Sequence, residues 1–198
     1  MAELVLAGPQ YRTTGKLRLG VVPGGFATIL SPRLRVARSL VTDPEGVTVA
    51  IGGRTPRAIG AELGVTAGRP EGAYEGGSGV DPDETLTLDP DQADVIVEAL
   101  GLGHDALVTF AADETPVLWP EHFDVAITRN EVNYGVSPGD GHLAEPYAYV
   151  GPWAARVGPF WNVEFGAARL LGELEGHQAL LDFFQQGASL AVTDPARA

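Results

Sequence analysis

Apolar and polar positions between residues 16 and 51 alternate with the two-residue period of a half-buried strand. Residues 16–22 alternate apolar with polar or small side chains, Pro23-Gly24-Gly25 turns the chain, and 34–41 and 47–51 are rich in β-branched residues. This pattern predicts antiparallel strands joined by tight turns. The pattern then changes to a helical one. Thr55 stands as an N-cap before Pro56, whose missing N–H costs nothing at a first helical position, and Gly64 ends the helix after residue 63.

Residues 66–84 hold Gly68, Gly72, Gly76, Gly77 and Gly79 with few apolar side chains, which predicts a long mobile loop able to act as a lid. A short strand is expected at 85–88. Asp89 and Pro90 then open a helix whose apolar face is Ala93, Ile96, Val97 and Leu100, and Gly101 and Gly103 predict its end. Residues 104–110 read as a second helix. Strands follow at 117–119, 123–128 and 131–136, with Arg129-Asn130 as a two-residue turn, and again at 147–150 and 160–165. Residues 168–188 carry Leu170, Leu174, His177, Leu181 and Phe184 along one helical face. Residues 193–198 lack an apolar anchor and read as a frayed tail. The expectation is an α+β protein with a mainly antiparallel sheet and a few packed helices, one of them C-terminal, forming a single domain over residues 1–192.

Composition narrows the function. The formal net charge of −13 repels phosphate backbones and anionic lipid surfaces, so neither nucleic acid nor membrane is an expected partner. No apolar stretch approaches the length of a membrane span, and the short apolar run near the N-terminus lacks the basic flank of a signal peptide. The chain has no Cys, which excludes disulfides, thiolate metal sites and a cysteine nucleophile and fits a cytoplasmic setting.

Several motifs fail on their own chemistry. The segment from Gly8 to Lys16 resembles a phosphate-binding loop, but its glycines are spaced too far apart and Leu17 stands where a hydroxyl must reach magnesium. Gly135-Val136-Ser137-Pro138-Gly139 matches a nucleophile elbow, yet Pro138 has no N–H to give an oxyanion hole. The Asp-Pro-Asp units at 81–83 and 89–91 lack the spacing and glycine of a calcium loop.

The chemically capable residues concentrate between Trp119 and Trp161. Trp119, Glu121, His122, Asp124, Asn133, Tyr134, His142 and Glu145 are the candidates. If 123–128 and 131–136 form a hairpin, His122 and Asp124 share one face while Phe123, Val125 and Ile127 occupy the other. A polar face of that kind either lines a cavity, with His122 or Asp124 as base or metal ligand, or is simply solvated. His122, His142 and Glu145 would make a two-His-one-carboxylate metal set, although no spacing here matches a zinc motif. All three Trp fall in this segment, and an aromatic cluster is either core or the wall of a small-molecule pocket.

Residues 118–129, Leu-Trp-Pro-Glu-His-Phe-Asp-Val-Ala-Ile-Thr-Arg, resemble a motif of a bacterial family of unknown function, in which a Trp and Phe-Asp precede a strand ending in Thr-Arg. Thr14-Gly15-Lys16-Leu17-Arg18-Leu19 resembles that family's Gly-Lys-x-Arg-Leu strand, and Glu145-Pro146-Tyr147-Ala148-Tyr149 its later tyrosine-rich strand. The stretch 133–142 departs from the family's histidine-bearing segment. The resemblance implies a fold and a site and no reaction, and it adds Lys16 and Arg18 as candidates, either paired with Glu121 or Asp124 or holding an anionic ligand. The leading expectation is a small-ligand-binding domain with an aromatic-lined pocket. The alternatives are a metal-assisted or acid–base hydrolase or isomerase using His122, Asp124 and Glu145, and a protein interaction module working through the Gly-rich loop. No cofactor or oligomeric state follows from these residues.

Overall fold

A computed structural model describes residues 1–197, and Ala198, the last residue of the expected tail, lies outside the described residues. The chain divides into two compact units, one of residues 1–98 and 117–123 and the other of residues 99–116 and 124 onward. The α+β expectation holds: the strands are mainly antiparallel and several helices accompany them, including a C-terminal one. Among the described residues, no helix is long and apolar enough to cross a membrane.

The first unit opens with a helix that the pattern above does not anticipate, a π-helical segment Ala2–Ala7 running into α1 (Gly8–Thr14). All of residues 2–10 are buried. Its strands are β1 (Leu19–Val22), β2 (Gly25–Thr28), β3 (Arg35–Ala37), β4 (Leu40–Thr42), β5 (Thr48–Ala50) and β6 (Val117–Trp119), in the spatial order β6-β1-β2-β3-β4-β5. The run expected as one strand at 34–41 is two, because Arg38, at φ 50°, turns the chain between β3 and β4. Gln10 is fully buried and joins α1 to this sheet: its Nε2 donates to the carbonyls of Lys16 (3.0 Å) and Arg18 (2.8 Å), and its Oε1 accepts from the N–H groups of Ile29 and Leu30 (both 2.8 Å).

Helix α2 (Pro56–Glu62) forms as its cap predicts, with the Thr55 hydroxyl accepting from Ala58 N–H at 3.1 Å. Residues 66–84 contain no regular element, as expected, but they are tethered. Residues 85–88 are not a strand; Leu86 instead exchanges backbone hydrogen bonds with Gly53 and Arg54.

Helix α3 (Pro90–Phe110) continues through Gly101 and Gly103, so the two helices expected over this stretch are one. Its residues to Glu98 belong to the first unit and the rest to the second. Two interior glycines cost a helix only about 1 kcal/mol each. At Gly103 the reason for glycine is close approach, since a Cβ there would sit 2.6 Å from Val136 Cβ.

The second unit is a meander of β7 (Asp124–Arg129), β8 (Val132–Ser137), β9 (Tyr147–Pro152) and β10 (Ala167–Leu170). The β7–β8 turn is Asn130-Glu131, one residue later than expected, with both at positive φ (52° and 60°), as a two-residue primed hairpin turn demands. No strand forms over 160–165. Helix α4 (Gly176–Thr193) starts later than expected because residues 167–170 pair with β9 instead, which leaves Leu170 and Leu174 off its face. It buries Leu180, Leu181, Phe183 and Phe184, and Gly187 lets it approach β9 so closely that a Cβ would meet Val150 Cγ2 at 2.7 Å. The segment expected to fray is held: Val157 N–H donates to Pro195 O (3.0 Å), Arg197 N–H to Ala155 O (2.7 Å), and Trp161 Nε1 to Asp194 Oδ2 (2.9 Å).

Candidate functional site

Glu3 is the one acid in the buried N-terminal helix, and its side chain is only 3% exposed. A buried carboxylate persists when it is hydrogen-bonded and paired. Glu3 is both: Oε1 accepts from the Tyr74 hydroxyl (2.8 Å), Oε2 accepts from Ser78 N–H (3.0 Å) and Oγ, and Arg69 Nε lies 3.4 Å away. Burial pushes its pKa up, but the bonds from Ser78 and Tyr74 and the Arg69 charge outweigh that and hold it below the ordinary value. Burial, then the bond to Glu3, pushes the Tyr74 phenol upward. Glu3 thereby ties down the Gly-rich loop at three points.

Beside this tether lies a cavity of about 340 Å³ contained in the first unit. Phe26, Val36, Ile51, Leu86, Ile96 and Phe123 supply its apolar wall, and Glu3 and Ser78 reach its lining. Phe123 takes a left-handed backbone conformation (φ 55°) that directs its ring onto Phe26 edge-on, at 5.3 Å between centroids. Arg38 also lines the cavity and is ion-paired with Asp94 at 2.6 Å, both side chains remaining largely in water (68% and 46% exposed).

The ten candidate residues fall into the two units. Lys16, Arg18, Trp119, Glu121 and His122 belong to the first, and Asp124, Asn133, Tyr134, His142 and Glu145 to the second. Lys16 and Arg18 are exposed and make no ion pair among the described residues; the Arg18 guanidinium sits over the Trp119 ring at 5.4 Å instead. Glu121 is half-buried, with Oε2 sealed from solvent. His122 is exposed in the turn before β7 and does not share a strand with Asp124 as expected, because Phe123 takes a positive φ and β7 begins only at Asp124.

In the second unit Asp124 is buried and accepts a hydrogen bond from the Tyr149 hydroxyl. Burial, then the Asp124 charge, lifts the Tyr149 pKa well above that of a free phenol. Asn133 Oδ1 accepts from Thr128 Oγ1 (2.7 Å) and Trp153 Nε1 (3.4 Å), a surface cross-strand contact. The Tyr134 ring packs against Phe110 and Phe184 at 4.8 and 6.1 Å, which makes it core as well as candidate. His142 is exposed, its ring edge-on to Phe165 at 5.6 Å, and Glu145 is exposed. Asp140 organises that loop, accepting from Tyr147 Oη (2.5 Å), His142 N–H (2.7 Å) and Leu143 N–H (3.1 Å). Among the described residues, no group of three His, Cys, Asp or Glu is placed to hold a metal ion.

Glu3, Arg38 and most of the apolar cavity wall are not among the ten candidates. Glu3 carried a signal, a single acid directly before the apolar run Leu4-Val5-Leu6-Ala7. The cavity carried none, since its wall comes from separated segments. The chain matches no family model, no curated protein and no solved structure.

Proposed function

We propose that this protein binds a small, largely apolar molecule in the cavity of the first unit, with the ligand's polar end near Arg38 and Asp94. The observation that carries this reading is the cavity itself: about 340 Å³ lies within the usual range for ligand pockets, and its wall is mostly aliphatic and aromatic. Pro120 and Phe123, from the aromatic segment singled out in the sequence, contribute to that wall. Glu3 supports the reading by fixing Ser78, at the lining, in place before any ligand arrives. Preorganisation of this kind lowers the ordering cost of binding. We also propose a cytoplasmic setting, on the cysteine-free composition. Membership of the bacterial family with the Trp-to-Arg motif is a further proposal, resting on the three motif blocks alone.

The test is a fluorescence titration with 1-anilinonaphthalene-8-sulfonate, whose naphthalene ring suits an apolar cavity and whose sulfonate suits Arg38. Ile96→Trp, which fills the cavity, is expected to reduce binding at least tenfold while far-ultraviolet circular dichroism and cooperative unfolding stay as in the parent. Unchanged binding by a folded Ile96→Trp protein would refute the site.

A further inference from the structure

A second cavity, of about 350 Å³, lies wholly within the second unit, at the end of the β7–β8 hairpin. Its apolar wall includes Phe110, Val132, Pro152 and Ala191, and its polar groups are Arg129, Arg156, Asn130, Glu131 and Tyr134. The residues differ entirely from those of the first cavity.

Arg156 is half-buried, its Nε is sealed from solvent with no hydrogen-bond partner, and its guanidinium makes no ion pair among the described residues. A guanidinium drawn partly out of water without a counter-charge is costly, and its planar fork is shaped for two parallel hydrogen bonds to a carboxylate. Arg129 differs, because it is already paired with the exposed Asp113. Tyr134 is only 3% exposed, its hydroxyl has no hydrogen-bond partner among the described residues, and burial pushes its pKa up to about 12. The phenol therefore stays protonated at neutral pH and has an O–H to donate. Glu131 is exposed, where solvent and salt screen its charge.

We infer that this cavity binds a small organic monocarboxylate, with the Arg156 guanidinium on the carboxylate, the Tyr134 hydroxyl donating to it and the apolar wall taking the ligand's hydrocarbon part. The one guanidinium of this cavity that pairs with no acid among the described residues favours a single negative charge. The apolar lining favours an aromatic or aliphatic acid over inorganic phosphate.

The test uses benzoate and octanoate on the full chain, with benzyl alcohol as the neutral counterpart and inorganic phosphate as the anion without an apolar body. Binding is followed by the NMR resonance of Arg156 Nε–H and by the thermal midpoint. Saturable binding of at least one carboxylate is expected, with a shift of the Arg156 resonance and at least tenfold weaker binding of benzyl alcohol and phosphate. Arg156→Gln is expected to weaken binding at least tenfold and Tyr134→Phe several-fold, while Arg33→Gln, an exposed arginine elsewhere, leaves it unchanged. Ile96→Trp is also expected to leave it unchanged, which separates this site from the one in the first unit. The inference is overturned by no saturable binding of either carboxylate, by phosphate or benzyl alcohol binding as tightly, or by folded Arg156→Gln protein retaining parental affinity. If Arg156→Gln fails to fold, Tyr134→Phe and the Arg156 resonance decide in the same way.

Discussion

Glu3 in the first unit and Arg156 in the second are both charged side chains drawn out of water, and their surroundings are opposite. Glu3 collects Tyr74, Ser78 and Arg69 around itself, whereas Arg156 has no hydrogen bond or ion pair among the described residues. A charge that is fully partnered within the chain is an architectural fixture. One left without partners beside a cavity lowers stability until something binds it, and so marks where a ligand of opposite sign belongs. The contrast also separates the two cavities: the first is apolar with its inner acid already satisfied, and the second keeps a cation open.

The comparison breaks first at Glu3. Replacing Glu3 by Leu leaves the Tyr74 hydroxyl and the Ser78 N–H without an acceptor, and the expected loss in urea denaturation is about 3 kcal/mol. Limited proteolysis is expected to cut the variant faster within residues 69–79. A loss below about 0.5 kcal/mol with unchanged cleavage would mean that the tether does not hold the loop.

Arg156 is expected to respond with the opposite sign. In the unliganded protein Arg156→Met removes a charge with no counter-charge among the described residues and keeps an apolar stem, so stability is expected to stay level or rise by about 1 kcal/mol. A fall of about 1 kcal/mol or more would show that the guanidinium is satisfied and the contrast mistaken.

The smallest effect is in pH. Glu3 has a folded pKa below its ordinary value, so its contribution is fully present above the unfolded pKa and is lost as pH falls through the folded one. The stability advantage of the parent over Glu3→Gln is therefore expected to shrink steadily below about pH 4.5. Asp140, whose carboxyl is also held low, titrates in both proteins and cancels from the difference. An advantage that stays flat down to about pH 3 would place the Glu3 contribution in something other than its charge.

Much of the fold was legible because its signals are local. The Thr55-Pro56 helix start, the strands β7, β8 and β9, and the part of the C-terminal apolar face at Leu181 and Phe184 each depend on neighbours within a few residues. What was illegible depends on partners distant in sequence. Gly101 and Gly103 look like a helix end, yet Gly103 is glycine because β7 and β8 valines press against that turn. His122 and Asp124 look like one strand face, yet Phe123 takes a positive φ and the strand begins only at Asp124. The polar candidates were sought where titratable residues crowd together along the chain. The cavities instead take their walls from four or more separate segments, and a lone arginine such as Arg156 carries no local mark of lacking a partner.

Gln10 behaves as a surrogate peptide unit, two donors and an acceptor inserted crosswise between α1 and the β1–β2 region. Glutamate at that position would set carboxylate oxygens against two carbonyls, asparagine would fall short, and leucine would abandon four backbone groups at once. The groups it joins all lie within twenty residues of it along the chain. Closing so short a loop carries little entropy. This corner therefore closes at a lower entropy cost than the contacts that join segments far apart along the chain.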